Sequence, residues 1–372
     1  VRVYERLHST LAWTLRGLGD YLGNPEAAGT GRSCALSANG DVLALGEWNY
    51  RDASRTVDLY DSNGAVRGST PPDAGRVRVL SWDAPDNEWK VAWERVGTSH
   101  KEQFGWAVAL SDDGKTLVVG VRQADADAAP PGAAWEAGHN RGRVDVYVAV
   151  DTETIPSPPS PPLPTPSPPL PPPFQFPPLH DDCTAFVRRG DAIVGQGTFD
   201  WLGIATDMSA NGLSILVGAN ENNFYGYYYS ASDYEPNENT AGSGFVQVWD
   251  WDATLNSGNG DWVQRGATMY GTNDRDMFGN HAAMSADGKR IAIGTRWKHA
   301  PDTSAIVSIR SWTNNAWVED MTVEVTHGLT WRFNVLGLKL STDGSYMLEY
   351  GKKGGFGTLP SAITVSVWAL TG

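Results

Sequence analysis

The sequence predicts an all-β protein, a β-propeller-like array of about five to seven four-stranded blades interrupted by a polyproline II segment. Three observations lead to this prediction: a hairpin motif that recurs along the chain, a second strand motif that follows each copy, and one dense run of prolines. Composition agrees, since the 372 residues include 41 Gly and 16 Trp but only 19% charged residues. Many aromatic residues and glycines with few charges favour strands and turns over helices.

The first motif is a small or apolar stretch, then Ser-x-x-Gly, then an apolar run that ends near Gly. Its five copies occupy residues 34–46, 107–120, 205–218, 282–294 and 338–351. An Asn-Gly or Asp-Gly pair between apolar runs is a strong hairpin signal, because the tight turn needs a positive φ. Each copy therefore predicts two antiparallel strands.

The second motif alternates apolar and polar residues, as in Val-x-Val-aromatic, and often ends in Trp-x-x-Arg-Gly. Its copies and shorter relatives occupy residues 1–17, 77–97, 245–266, 306–320 and 363–370. Alternation with a period of two predicts half-buried strands. Two strands from each motif make a four-stranded unit, and repetition of such units is typical of propeller blades. We expect Trp82, Trp89, Trp251 and Trp262 to pack within these blades.

Two copies with their preceding residues, FGWAVALSDDGKTLVVG from Phe104 and FGNHAAMSADGKRIAIG from Phe278, resemble FG-GAP-type repeats, the blades of integrin-like propellers. The resemblance covers most of the chain outside the prolines. Calcium-binding members of that family carry a run of acids before the turn glycine, whereas these turns offer one or two oxygens. Calcium takes six to eight oxygen ligands, so we expect neither a metal nor another cofactor.

Residues 155–178 contain fourteen of the 23 prolines. Proline fixes φ and lacks the backbone donor, so this run joins neither helix nor sheet and favours a polyproline II rod of ~3.1 Å per residue. It divides the chain into a first group of blades (1–150), a proline-rich segment (151–183) and a second group (184–372). We expect the two groups to form one continuous propeller, in cis or across subunits.

The strands on either side of the prolines, at 142–148 and 185–195, are expected to be neighbours in one blade. Neighbouring strands lie ~5 Å apart. A stiff rod therefore either folds back near Phe174 and Phe176 or bridges to another subunit. In the bridging alternative the chain is a filament subunit, because head-to-tail exchange that does not close forms an open polymer.

The short Ser-Pro and Ser-Pro-Pro units are similar to those of hydroxyproline-rich glycoproteins of plants and green algae, such as volvocine cell-wall and mastigoneme-type surface proteins. The resemblance implies prolyl hydroxylation and covalent O-linked glycans. The candidate positions are Pro156, Pro158, Pro159, Pro161, Pro162, Pro164, Pro166, Pro168, Pro169, Pro171, Pro172, Pro173, Ser157, Ser160, Thr165 and Ser167. The alternative is an unmodified spacer or a ligand for a proline-recognition domain.

The long loop at 220–244 is rich in aromatic residues. They are Phe224, Tyr225, Tyr227, Tyr228, Tyr229 and Tyr234. Aromatic residues on loops of a rigid scaffold predict contact with glycans or a protein interface; alternatively they cover a hydrophobic rim of their own subunit. Cys34 and Cys183, the two cysteines, form either one disulfide or two unpaired thiols.

Several function classes are disfavoured. A net charge of −14 without a basic run argues against nucleic acid. No apolar stretch approaches the ~18 residues of a membrane helix, so membrane insertion is not expected. The seven histidines are scattered, and neither a nucleophile elbow nor a phosphate-binding glycine loop is present. From this we expect that the chain is not an enzyme.

These observations favour an extracellular structural glycoprotein of a cell surface, cell wall or flagellar surface. We expect it to associate with itself head-to-tail by strand sharing and to display an O-glycosylated polyproline rod. The alternative is a monomeric, integrin-like or lectin-like propeller that binds glycans or a protein partner through its aromatic loops. A carbohydrate-active enzyme is a third, more distant hypothesis.

Overall fold

The computed structural model describes residues 1–6, 12–17, 31–54, 56–60, 66–70, 73–99, 101–124, 140–151, 184–197, 199–220, 243–272, 276–295, 305–325, 334–353 and 362–370. Within these ranges the chain forms antiparallel sheets, with one short helical turn, α1 (Leu255–Gly258). Five of the sheets are propeller blades, which we name A to E in chain order. The prediction of an all-β propeller is confirmed.

Blades A and B come from the first half of the chain. Blade A consists of β3 (Ser33–Leu36), β4 (Val42–Glu47), β7 (Arg76–Asp83) and β8 (Glu88–Val96). Blade B consists of β9 (Phe104–Leu110), β10 (Thr116–Val121), β11 (Arg143–Asp151) and β12 (Thr184–Arg188), with β13 (Ile193–Val194) beside β11. A small hairpin, β5 (Val57–Tyr60) and β6 (Val66–Thr70), is inserted between β4 and β7.

The other three blades follow in the same order. Blade C consists of β14 (Ala205–Met208), β15 (Ser214–Ala219), β16 (Phe245–Asp252) and β17 (Asp261–Gln264), with β18 (Met269–Tyr270) beside β16. Blade D consists of β19 (His281–Met284), β20 (Arg290–Gly294), β21 (Ala305–Thr313) and β22 (Ala316–Val325). Blade E consists of β23 (Asn334–Leu340), β24 (Tyr346–Lys353) and β25 (Ala362–Ala369).

An N-terminal hairpin of β1 (Tyr4–Arg6) and β2 (Trp13–Leu15) precedes blade A. The Arg16 amide, next to β2, donates a hydrogen bond to the carbonyl of Val3 at 2.8 Å. In blade C the Arg265 amide donates to Val248 in the same way, at 2.7 Å. The hairpin therefore reproduces the two outer strands of a blade, as the strand motif at 1–17 predicts.

The proline-rich segment interrupts blade B between its third and fourth strands. Asp151 at the end of β11 pairs with Thr184 at the start of β12, and Tyr147 pairs with Arg188. The two strands expected to be neighbours are therefore paired. Residues 152–183 between them lie outside the described residues.

Each predicted hairpin turn is a Ser-x-Asx-Gly unit held by its own side chains. In blade B the Ser111 hydroxyl donates to Asp113 Oδ1 at 2.6 Å and accepts the Thr116 amide at 2.9 Å. Asp113 Oδ1 also accepts the Lys115 amide at 2.9 Å. Only the glycine has a positive φ, 71° at Gly114. The five turns share this pattern, so serine and the Asx side chain define the turn together with glycine.

Backbone hydrogen bonds between the turns tie the blades together in order. In blades A to D, the second residue of the Ser-x-Asx-Gly turn donates its backbone amide to the carbonyl oxygen of the equivalent turn residue in the next blade. The bonds run from Ala38 to Asp112 (2.9 Å), Asp112 to Ala210 (2.9 Å), Ala210 to Ala286 (2.8 Å) and Ala286 to Thr342 (3.1 Å). The five innermost strands therefore lie side by side with their turns on one face of the propeller.

Neighbouring blades also approach through glycines. A Cβ added at Gly120, in β10 of blade B, would lie 2.1 Å from the carbonyl oxygen of Gly203 in blade C. The same contact joins Gly46 to Gly105 and Gly218 to Gly279, at 2.1 and 2.2 Å. Because real Cβ atoms do not come so close to an oxygen, only glycine fits these positions.

The Trp-x-x-Arg-Gly motif forms a second contact between blades, at their outer edge. Trp251 and Trp262 of blade C lie edge to face with ring centroids 5.3 Å apart, and the Arg189 guanidinium of blade B lies 4.3 Å from the Trp251 ring. Trp262 Nε1 donates to the Arg189 carbonyl at 3.0 Å. Similar arrangements join Arg16 to Trp82 and Trp89, and Arg265 to Trp312 and Trp317. These tryptophans pack blades, as expected.

We predict that Gly120→Ala destabilises the protein by about 3 kcal/mol, because the methyl group forces the backbones of blades B and C apart. Gly294→Ala is the matched control. It occupies the same place in β20, but its added Cβ meets only the tip of Leu338, at 3.1 Å. We expect the control to change the free energy of unfolding by less than about 1 kcal/mol. Urea denaturation measures both, and equal losses would contradict the glycine-contact argument.

The aspartates of the turns lead to a second prediction, on how stability depends on pH. Hydrogen bonds from the Ser341 hydroxyl and from the Ser345 amide and hydroxyl lower the pKa of the exposed Asp343 carboxyl to about 2. A carboxyl whose pKa is lowered in the folded state stabilises the fold above its unfolded pKa of about 4, and this contribution is lost as pH falls toward 2. Asp343→Asn keeps the acceptor oxygen, as Asn39 and Asn211 do in their turns, but cannot be protonated in this range. The urea midpoint of this variant should therefore fall less than that of the wild type between pH 4 and 2. An equal fall in both proteins would refute this prediction.

Candidate functional site

Blade E exposes a face that the other four blades bury. The third strand of each of those blades places two aliphatic residues against the next blade, and all of them are buried: Val77, Val79, Val144, Val146, Val246, Val248, Val307 and Ile309. In blade E the Leu370 amide donates to the Ser345 carbonyl as the Trp82 amide donates to Asp41. This register places Val365 and Val367 at the equivalent positions, where they are 63% and 67% exposed.

Further apolar side chains lie on the same face of blade E. Leu348 pairs directly with Val367, and Tyr350 pairs with Val365. These two residues and Tyr346 are exposed. We call the five residues Tyr346, Leu348, Tyr350, Val365 and Val367 the terminal face. Within the described chain, no strand pairs with the outer edge of β25, so the sheet also offers free backbone hydrogen-bonding groups there.

The opposite end of the array is blade A, and the N-terminal hairpin covers it in part. Leu43, Leu45 and Leu80 are buried under Val1 and Val3 of the hairpin. The innermost strand of blade A stays uncovered on this side, where Leu36 is 46% exposed and Cys34 is exposed. Among the described residues, blades A and E therefore each keep an apolar surface that no further strand covers.

A charged contact crosses the innermost strands. Lys339 Nζ in blade E lies 3.2 Å from Asp207 Oδ1 in blade C, and Asp207 Oδ2 accepts the Met284 amide of blade D at 3.0 Å. The attraction of Asp207 raises the pKa of Lys339, although burial opposes the charge. Asp207 thus connects blades C, D and E through one ion pair and one backbone hydrogen bond.

A second candidate site is a cleft of about 450 Å³ between blades A and B, on the face opposite the hairpin turns. It is lined by Trp48, Asn49, Arg51, Asp73, Lys101, Gln103 and Gln123. Four loops build it, and backbone hydrogen bonds join them. The Lys101 amide donates to Asp73 at 3.1 Å, and the Gln123 amide donates to Glu102 at 3.1 Å.

A buried ionic cluster supports the loop that carries Trp48. Glu47, fully buried at the end of β4, accepts hydrogen bonds from Arg76 at 2.5 Å and from Arg78. The Arg76 guanidinium also stacks on the Tyr50 ring at 3.9 Å and pairs with Glu94 at 3.2 Å. Burial disfavours the cation, but the hydrogen bond and charge of Glu47 raise the pKa of Arg76. These contacts tie the loop that carries Trp48 and Tyr50 to the third and fourth strands of blade A.

Arginines and tryptophans alternate beside the cleft. Trp48 meets Trp106 edge to face, with centroids 5.2 Å apart. The guanidinium groups of Arg32 and Arg122 lie 3.9 and 4.3 Å from the Trp106 ring, and Arg122 also lies 3.7 Å from the Trp201 ring. Such cation–π contacts are worth about 0.5–2 kcal/mol each, so they keep the aromatic wall in place.

Most site residues predicted from the sequence cannot be placed on this framework. The hydroxylation and glycosylation candidates between 156 and 173, the aromatic residues between 224 and 234, and Cys183 all lie outside the described residues. The disulfide between Cys34 and Cys183 therefore stays a prediction. The cleft was missed by sequence reasoning, because its lining residues are single polar residues spread from 48 to 123.

Comparisons with known proteins support no family assignment. No family model and no curated protein sequence matches the chain. Among solved structures, the chain is similar to a "putative 6-phosphogluconolactonase" from Bacteroides uniformis, with 12% identity, 99% and 92% of the two chains covered, and a TM-score of 0.42. A protein of the same description from Bacteroides fragilis has 11% identity, 94% and 85% coverage, and a TM-score of 0.43.

Another similar structure is Sqt1 of Chaetomium thermophilum, at 12% identity and a TM-score of 0.46. The match covers 100% of this chain and 64% of that one. Likenesses this distant assign neither a family nor an activity to this chain. We assign the fold from the blades themselves.

The expectation that the chain is not an enzyme is overturned by these comparisons. Two of the similar structures carry the description putative 6-phosphogluconolactonase, so the absence of short motifs does not exclude catalysis here. The expectation relied on the absence of short catalytic motifs. A propeller presents functional side chains from separate loops, where no contiguous motif would reveal them.

The described residues contain no group of three or more His, Cys, Asp or Glu side chains placed to hold a metal ion. No helix within them is long and apolar enough to span a bilayer.

Proposed function

We propose that this protein is a structural subunit of an extracellular glycoprotein filament or matrix of the hydroxyproline-rich, green-algal type. Copies associate head-to-tail, with blade E of one molecule against blade A of the next. Each copy carries an O-glycosylated polyproline segment on its outer side. The terminal face of blade E is the observation that carries this proposal.

The energetics of the terminal face support association. Burying an exposed Val or Leu side chain contributes roughly 1.5–3 kcal/mol, and the equivalent residues of blades A to D obtain this stabilisation from the next blade. The terminal face and the uncovered side of blade A are different surfaces. A contact between them is heterologous, and a heterologous contact that does not close produces an open polymer.

A shared strand would also set the direction and register of the contact between two copies. The outer edge of β25 is unpaired among the described strands, although every other blade has a fourth strand in that position. A strand from a second copy at this edge completes the sheet through backbone hydrogen bonds. The apolar face supplies affinity and the edge supplies register.

The position of the proline-rich segment in the chain fold is compatible with the display of glycans. The proline-rich segment joins β11 to the outermost strand of its blade, β12, where blades A, C and D have short connections. An insertion at this radius leaves the contacts between blades undisturbed. Ser-Pro repeats that are hydroxylated and glycosylated need this access to solvent.

We predict that the double substitution Val365→Glu, Val367→Glu converts polymers to monomers, because it places two charges in the contact. Sedimentation velocity and negative-stain electron microscopy of the purified full chain measure the effect. Val318→Glu is the matched control, since Val318 is also an exposed valine on an edge strand but lies in blade D. Polymers formed equally by both variants, or monomeric wild-type protein at every concentration, would refute head-to-tail assembly.

We further predict that native protein carries hydroxyproline and pentose- or hexose-bearing residues between Pro156 and Pro173. Intact glycopeptide mass spectrometry of the 152–183 region measures this directly. Protein expressed in a host without prolyl hydroxylase is the control and should lack the added mass. Unmodified prolines in the native material contradict the glycoprotein proposal and leave assembly to be judged by sedimentation alone.

A further inference from the structure

The geometry of the cleft between blades A and B points to a binding site for an acidic saccharide, a pyranose ring that carries a carboxylate. The inference is independent of filament assembly, because the cleft lies away from the terminal face. It rests on three observations in the described residues: unpaired amide oxygens, an aromatic wall, and one cation without a carboxylate partner.

The first observation is a pair of amide acceptors. Asn49 Oδ1 and Gln103 Oε1 are shielded from solvent and accept no hydrogen bond from the protein, yet both residues line the cleft. A buried acceptor without a partner costs about 1–3 kcal/mol. A ligand hydroxyl that draws either amide oxygen to the cleft surface recovers this free energy, and with Gln123 the wall presents three amide groups. Polyhydroxylated ligands match such a surface.

The second observation is the tryptophan wall. Trp48 borders the cleft, and its edge contact with Trp106 fixes the ring. The apolar face of a pyranose ring packs against an indole, so the wall complements the amides that meet the hydroxyl groups. An aliphatic ligand would use the indole face but not the amide groups, and a purely ionic ligand would use polar groups but not the indole face.

The third observation is the charge balance. Arg51 pairs with Asp73 across the cleft, which neutralises both. The Lys101 ammonium forms no ion pair with any residue in the described ranges, and the side chain is exposed. Counted over the described lining residues, the cleft therefore carries one net positive charge, which favours a ligand with one carboxylate. Hydrogen bonds between charged groups are about twice as strong as neutral ones.

The walls are held before a ligand arrives. Lys101 and Gln103 have positive φ values of 61° and 60°, and the backbone bonds from Lys101 to Asp73 and from Trp106 to Gln103 hold this conformation. The Glu47 cluster holds the loop of Trp48 on the other side. A preorganised site loses less conformational entropy when it binds.

The test uses the full-length protein and two probes, a glucuronate-containing disaccharide and the corresponding neutral glucose disaccharide. Isothermal titration calorimetry measures affinity, with tryptophan fluorescence as a second readout. The variants are Trp48→Ala, Gln103→Ala and Lys101→Gln. Lys115→Gln is the control, because Lys115 is an exposed lysine on the opposite, turn-bearing face. Thermal melts establish that every variant is folded.

We expect the wild type and the Lys115→Gln control to bind the acidic disaccharide about tenfold more tightly than the neutral one. Lys101→Gln should remove this preference and leave the weak neutral binding. Trp48→Ala and Gln103→Ala should weaken binding of both sugars by about tenfold. The inference is overturned if folded wild-type protein binds neither sugar, if it shows no preference for the acidic one, or if the cleft variants bind like the wild type.

Discussion

The close approach of backbones between neighbouring blades is the constraint on which the rest of this structure depends. Glycine is the last residue but one of the second strand in blades A, B and C, and each of these glycines touches a glycine of the next blade, as Gly120 touches Gly203. Any side chain there would separate the blades. With the backbones in contact, the turns come close enough to hydrogen-bond from blade to blade, and the aliphatic residues of each third strand reach the next sheet.

The end of the array shows what happens where this constraint is relaxed. Gly294 of blade D meets the tip of Leu338 instead of a backbone oxygen, and blade E has Tyr350 where blade A has Gly46. Blade E thus keeps the apolar residues of a blade, but has a tyrosine where blades A to C have the contact glycine. Its exposed Val365 and Val367 follow from that difference, and they connect the blade geometry to the proposed assembly.

The two proposed functions use different parts of one scaffold. Assembly uses the sheet faces and edges at the end of the array, where the repeat is left without a partner. The cleft uses loops at the interface of blades A and B, held by the Glu47 cluster and by stacking of Arg122 on Trp106. A repeat protein separates these roles naturally, because strands repeat for packing while loops vary independently.

The sequence by itself determined the strands, the five Ser-x-Asx-Gly turns and the pairing of the strands around the prolines, because these depend on local periodicity and turn chemistry. The recurring strand motif also indicated the tryptophans that pack blades, and one of them, Trp262, stands three residues before Arg265-Gly266. Only the tertiary structure decided which blade lacks a neighbour and which loop residues meet in the cleft. Exposure of Val365 depends on what lies beside it. Asn49 and Gln103 meet only because two blades bring together segments that are 54 residues apart in the chain.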